Sequence, residues 1–342
     1  MPEGQVITST PGPAEVDVIT GLGGSGAQAF GSVAARLMNG DFKANSLRTL
    51  DLLRKEEWLL FDTAIVDVAR ERLGLVQDLV SRGLRFALAN AMGTTVLQWE
   101  RVSDMDPASV SMAGVTEGEY DRIDFQLQTM PIPIFHKEFT LNIRHLSASR
   151  KIGETIDVSQ ARVSTRKVAE IIENTFVNGL TLQAVGGTVY GLTTAPDRNT
   201  GSGVDWTDTA AVTGEDIIDQ VIAMKGDAKA DHMFGPYGIY IPEPFDDRLD
   251  NDYKANSDKT IRERLAQLSN ITFIRPTERL TANNVVLAQL TTDVLEVIDG
   301  IQPRAVQWDA QGGMIINFKV LAIVLPRIRS DYTLQSGIVH YS

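Results

Sequence analysis

The run from Asp157 to about Asn178 has the strongest helical pattern in the chain, and any fold must accommodate it. Ala161, Val168, Ile171 or Ile172, and Phe176 recur at the spacing of one helix face, with the small Ser164 and Thr165 bridging the first half. Arg162, Arg166, Lys167, Glu170 and Glu173 fall on the other face. Asp157 or Ser159 serves as N-cap, Gln160 stands three residues after Asp157 as in a capping box, and Gly179 ends the helix. One apolar stripe predicts a helix laid along a sheet with its charged face in water. Strand-like alternation on both sides of it makes the class α+β.

At 342 residues and 43% hydrophobic content the chain can bury a core and form two or three subdomains. It has no cysteine, which excludes disulfides and thiolate metal sites, so stability beyond the core must come from packing or association. The net charge of −12, from 44 acidic and 32 basic residues, argues against a dedicated nucleic-acid binder, which needs a basic surplus to replace phosphate counterions. An acidic surface suits a wall that must not adhere to a packed polyanion, and equally suits ordinary solubility. No apolar run approaches the roughly 20 residues that cross a bilayer, and the N-terminus does not read as a secretory signal. Synthesis in a bacterial-type cytoplasm is the expectation.

Residues 1–45, rich in Gly, Ala, Ser and Pro, read as an extended arm. From Ser46, a possible N-cap, to Gly83 the pattern is helical, with Leu52, Leu59, Val66, Leu73, Val76 and Val80 on one face and a break near Gly74. Two short alternating runs follow, Leu97 with Trp99 and Val110 with Met112, separated by the turn-forming Ser103-Asp104-Met105-Asp106-Pro107; together they predict a hairpin. An isolated two-stranded hairpin is marginal in water, so it must lie on its own domain or on a neighbouring subunit. Asp124 to Arg144 continues as strand, interrupted at Pro131-Ile132-Pro133. Beyond the long helix come a loop over 200–213 and a helix capped by Thr213. Further strands are expected near 238–242, 271–274, 284–290, 294–298 and 314–325, with a helix over 260–268.

Candidate chemistry is sparse. Gly21, Gly23 and Gly26 match G-x-G-x-x-G, but no buried second strand leads to Asp41, so a hinge in the arm is favoured over a dinucleotide site. His136, His145, His232 and His340 show no zinc spacing, and neither a nucleophile elbow nor a P-loop occurs. Asp246, Asp247, Asp250 and Asp252 miss the EF-hand pattern and read as a solvated acidic turn. No catalytic residue, metal site or cofactor is assigned.

Several segments, in consistent order over roughly residues 50–328, resemble encapsulin/linocin-type shell proteins and their kin, the major capsid proteins of tailed bacteriophages. They are Lys55-Glu56-Glu57-Trp58, Phe139-Thr140-Leu141-Asn142-Ile143, Arg150-Lys151-Ile152-Gly153-Glu154, Arg166-Lys167-Val168-Ala169-Glu170, Asn178-Gly179, Tyr190-Gly191-Leu192-Thr193, Gly235-Pro236-Tyr237 and Val320 to Leu325. The resemblance implies a Hong Kong 97-type capsid fold. Its parts would be an N-terminal arm over 1–45, a helical region over 46–84, an E-loop hairpin over 85–122, P-domain strands and spine helix over 123–195, an A-domain over 196–305, and closing P-domain strands over 306–342. It implies a self-assembling icosahedral shell of pentamers and hexamers, enclosing double-stranded DNA in a phage or a cargo enzyme in a nanocompartment. The partners implied are portal and scaffold or decoration proteins, with packaged DNA contacted non-specifically, in a virion assembled in the host bacterial cytoplasm. Subunit contacts are expected from Leu97, Trp99, Arg101, Asp104, Asp106, Val110 and Met112 of the E-loop, and rim loops from Asp197–Asp208 and Glu243–Asp252. No lysine lies between Lys55 and Lys137, so the lysine-donated cross-link of some phage shells has no donor on this hairpin.

Overall fold

The computed structural model describes residues 55–105, 110, 112, 122–152, 158–183, 186–254, 258–310 and 314–342. The expected arm, the glycines at 21, 23 and 26, the Ser46 cap and Asp106 lie outside these residues. The chain divides into two units.

The smaller unit takes in 139–158, 306–318 and the chain up to Asp62. Its centre is aromatic. Phe318 lies nearly parallel to Phe61 (centroids 5.4 Å apart) and to Phe139 (5.0 Å), and Trp58 meets its edge at 6.3 Å. Strand propensity in Phe139–Asn142 yields at Ile143, where helix Ile143–Ile152 begins, although alternation predicted strand through Arg144. Ile143 and Leu146 are buried, a helical spacing that alternation over four residues cannot distinguish from strand.

The larger unit comprises 63–138, 159–305 and 319–342. Helix α1 (Lys55–Arg72) begins in the smaller unit and ends here, followed after Leu73 by α2 (Gly74–Ser81), so the break predicted near Gly74 is present. Gly83, at φ +82°, turns the chain out of α2 as a left-handed terminator. Then come β1 (Arg85–Ala87), β2 (Val96–Val102), β3 (Phe125–Pro131) and β4 (Phe135–Asn142), the last two separated at the predicted proline break. The long helix, α4 by chain order after α3 (Ile143–Ile152), spans Ser159–Asn178, starting two residues after Asp157, which lies outside the described residues, and ending where expected. The backbone leaves it through Gly179 (φ +73°) and returns at Gly191. A Cβ on Gly191 would stand 2.3 Å from Gly179 N and 2.7 Å from Val177 O, so two backbones touch where no side chain fits. Leu192 and Thr193 then donate their amides to Phe176 O and Val177 O, both at 2.9 Å.

Two short strands, β5 (Leu180–Leu182) and β6 (Gly187–Val189), form a small hairpin. The chain continues through β7 (Asn199–Gly201), α5 (Gly214–Ala230), β8 (Tyr237–Pro242), α6 (Glu243–Leu249), α7 (Ile261–Ala266), β9 (Ile271–Thr277) and β10 (Val285–Gln289). It ends with β11 (Leu295–Ala310), β12 (Ile315–Ile328) and β13 (Ile338–Tyr341). Two main sheets result, a four-stranded one in the order β1-β11-β12-β4 and a five-stranded one in the order β7-β13-β10-β8-β9. In the second, β8 and β10 are buried along their whole length. Ile239, Ile241, Leu287 and Val339 pack with Ile217, Val221 and Met224 of α5 and with Phe245, Leu249, Ile261 and Leu265 of α6 and α7. Helix α5 starts in a full capping box, with the Thr213 side chain on the Asp216 amide and the Asp216 carboxylate on Thr213 N.

Three expectations change here. The acidic segment is not a free turn: Glu243–Leu249 is helical, Phe245 and Leu249 are core residues, and Asp246 and Asp250 both bind Arg262 at 2.8 Å. The 197–208 segment is not all loop, since Asn199–Gly201 adds an edge strand and Trp206 is fully buried, stacked on Phe245 and donating to Gln220 Oε1 at 2.8 Å. Strand β11 is also far longer than the five residues that its apolar run marked.

Candidate subunit interface

The hairpin exists, but with a different return strand. β2 pairs antiparallel with β3, Val96 opposite Pro131 through Val102 opposite Phe125, and Val110 and Met112 are exposed and in no strand. Both runs alternate with period two, so local pattern alone could not choose between them. At the far end, Ser103 N donates to Asp124 O and Asp124 N to Ser103 Oγ, both at 2.9 Å, which closes the ladder. Seven residues of strand make a finger about 20 Å long.

Its two faces differ. Leu97, Trp99 and Arg101 stand opposite Met130, Gln128 and Gln126 on the face turned toward the chain's own body. There Leu97, Trp99 and Arg101 are half-buried and Met130 is buried. Arg101 forms the anchor, its guanidinium 2.7 Å from Asp197 Oδ2, with both side chains under one-fifth exposed (12% and 15%), and Ser330 donates to the same carboxylate oxygen. A cavity of about 270 Å³ lies beside this anchor, lined by Trp99, Arg101, Gln128, Tyr190 and Asp197. The other face carries Val96, Val102, Leu127 and Phe125; Phe125 is 64% exposed, Leu127 56% and Val102 47%. Of the expected apolar contact residues, Leu97 and Trp99 face the chain's own body, whereas Val110 and Met112 are exposed, as are Val102, Phe125 and Leu127. Asp104 is exposed, its carboxylate accepting from Met105 N.

The spine helix carries a second departure. Ala161, Val168, Ile172 and Phe176 are buried as expected, whereas Ile171 is 45% exposed. Glu173, assigned to the charged outer face, is only 6% exposed. From Ile172 to Val177 every residue but Asn174 is buried, so the stripe widens into a nearly enclosed half-helix. Burial pushes the Glu173 carboxyl up to about 7, against the pull of two backbone amides and with added repulsion from Asp78.

Among the described residues no group of three or more His, Asp or Glu is placed to hold a metal ion. His340 is buried with Nδ1 accepting from Arg198 Nε at 3.2 Å and Nε2 2.7 Å from Asn284 Oδ1; burial and then Arg198 hold it below the usual imidazole range. His136 is exposed, and His232 sits at φ +60° just beyond α5.

Arm-like finger, spine helix and sheet order together define a Hong Kong 97-type capsid fold, and solved structures share it. A virus-like particle from Pyrococcus furiosus aligns over 84% of this chain and 99% of its own at 18% identity, with a TM-score of 0.59. The capsid of Myoviridae Phage XM1 aligns over 76% and 90% at 10% identity (TM-score 0.58), and the capsid of an empty GTA particle over 76% and 89% at 14% identity (0.54). Residues 45–340 match the model of DUF6260, described as a family of unknown function, and the chain belongs to that family. No curated protein matches it.

Proposed function

We propose that this protein is the major capsid protein of a tailed bacteriophage, assembling with copies of itself into a closed icosahedral shell around double-stranded DNA. The observation that carries this reading is the finger: a two-stranded ribbon anchored on one face and open on the other, where Val102, Phe125 and Leu127 are exposed beside Gln98, Glu100 and Thr129. Burying a side chain such as Phe125 or Leu127 is worth about 1.5–3 kcal/mol. The described residues of a single chain leave that gain unrealised, and a neighbouring copy placed under the outer face supplies it. Each contact is modest, but a subunit that touches several neighbours closes a shell cooperatively. The capsid proteins that share the fold support the same reading, and an acidic chain of −12 suits a wall facing DNA without gripping it. Pentamers and hexamers, with portal and scaffold or decoration proteins, belong to this proposal.

The nanocompartment reading is favoured by one observation, the alignment over 99% of the Pyrococcus particle's chain. Electron microscopy of the protein expressed alone tests the shell itself. Closed particles are expected, and F125D combined with L127D should abolish them while leaving soluble subunits. A subunit that stays monomeric at high concentration overturns the proposal. Particles that co-purify with an enclosed enzyme, encoded beside this gene in place of portal and terminase genes, decide for the compartment.

A further inference from the structure

Helix Gly74–Ser81 has no cap of its own. Leu73 occupies the N-cap position without a side-chain bond, and no acidic residue stands in the first turn. Its first amides are met by Glu173 of the spine helix, 98 residues away from Leu75: Oε1 accepts from Leu75 N at 3.0 Å and from Val76 N at 3.4 Å. A carboxylate at a helix N-terminus is favourable, but this one is nearly sealed from water.

The charges around it come from every side. Helix α2 contributes Asp78, held by Arg275 at 2.8 Å, with Arg82 just beyond its end; the α1 end contributes Glu71 and Arg72; the spine helix contributes Glu170; and strands β8 and β9 contribute Tyr240 and Arg275, followed by Glu278 and Arg279. A cavity of about 200 Å³ lined by Glu173, Tyr240, Arg275 and Arg279 adjoins the carboxyl, and the buried Tyr240 hydroxyl has no hydrogen-bond partner among the described residues. The cavity is polar and large enough for water, so a proton has a route in and the carboxylate has room to turn out.

We propose that Glu173 is a proton-operated lock between the spine helix and helix 74–81. As the neutral acid it keeps its seat and holds the start of the short helix; as the carboxylate it is expelled toward the cavity, and that helix start loosens. Both forms can accept the two N–H bonds, but only the ion bears the cost of burial and the repulsion of Asp78. A carboxyl that binds its proton more tightly in the folded than in the unfolded chain favours the closed seat at low pH. That contribution wanes from the ordinary carboxylate range upward and is gone once pH passes about 7. The lock resides in one subunit, so it stands or falls independently of the shell reading.

Hydrogen exchange of the full chain, corrected for intrinsic rates and followed from pH 6 to 8.5, tests it. Protection of residues 74–81 should fall about tenfold across that range in the native chain. It should stay level in E173Q, which offers the same oxygen without the charge. Equal profiles in the two proteins overturn the proposal. Should E173Q not fold, the native chain alone decides: level protection at 74–81 overturns it, and a fall confined to 74–81 and the facing turn 171–175 supports it.

Discussion

The five-stranded sheet and the finger are built from similar strands and meet opposite fates. In the sheet, β8 and β10 are buried on both faces, and each pairs with a strand on either side. The finger has two strands, one face seated through Arg101 and Asp197 and the other presenting Phe125, Leu127 and Val102 to solvent. The sheet satisfies its strands within one chain, whereas the finger carries apolar side chains that the described residues leave exposed.

Substitutions separate the two regions, and the largest effect belongs to the core packed against the sheet. W206A removes a fully buried indole stacked 5.0 Å from Phe245 and should cost about 3–5 kcal/mol of folding stability, read by denaturant titration. A cost below about 1 kcal/mol would mean that this core tolerates loss as the finger does. D197A comes next: it strands the half-buried Arg101 and should cost about 1–3 kcal/mol, with faster hydrogen exchange across 96–131 and no change in the five-stranded sheet. Exchange that rises equally in both regions would show that the finger is not an independent element. The smallest effect on the subunit, within about 0.5 kcal/mol, is expected of L127S on the open face. The same substitution should still weaken assembly, and a large loss of subunit stability would show that this face is covered by its own chain.

Much of the architecture is legible in residue order. The spine helix ends where Gly179 permits a left-handed turn, the helical region breaks beside Gly74, and the Pro131 to Pro133 interruption parts two strands, because backbone permissions are local. The finger's pairing was not legible: Val110 with Met112 and Phe125 with Leu127 have the same alternation, and contact over a long loop decides between them. Nor was the setting of Glu173. On a helical wheel it belongs with Arg162 and Arg166, and it is buried only because helix 74–81 covers the C-terminal half of the spine. Trp206 is similar, since its loop surroundings mark it as surface until α5 and α6 close around it.

Residue order therefore settles what depends on neighbours along the chain: helix ends, proline breaks, the α+β class, and the lack of thiol chemistry in a chain without cysteine. Partner strands, the side of the finger left open, and the carboxyl shut away from water are settled in three dimensions. Each of those depends on which distant segment arrives to exclude solvent, and periodicity along one segment carries no record of that arrival.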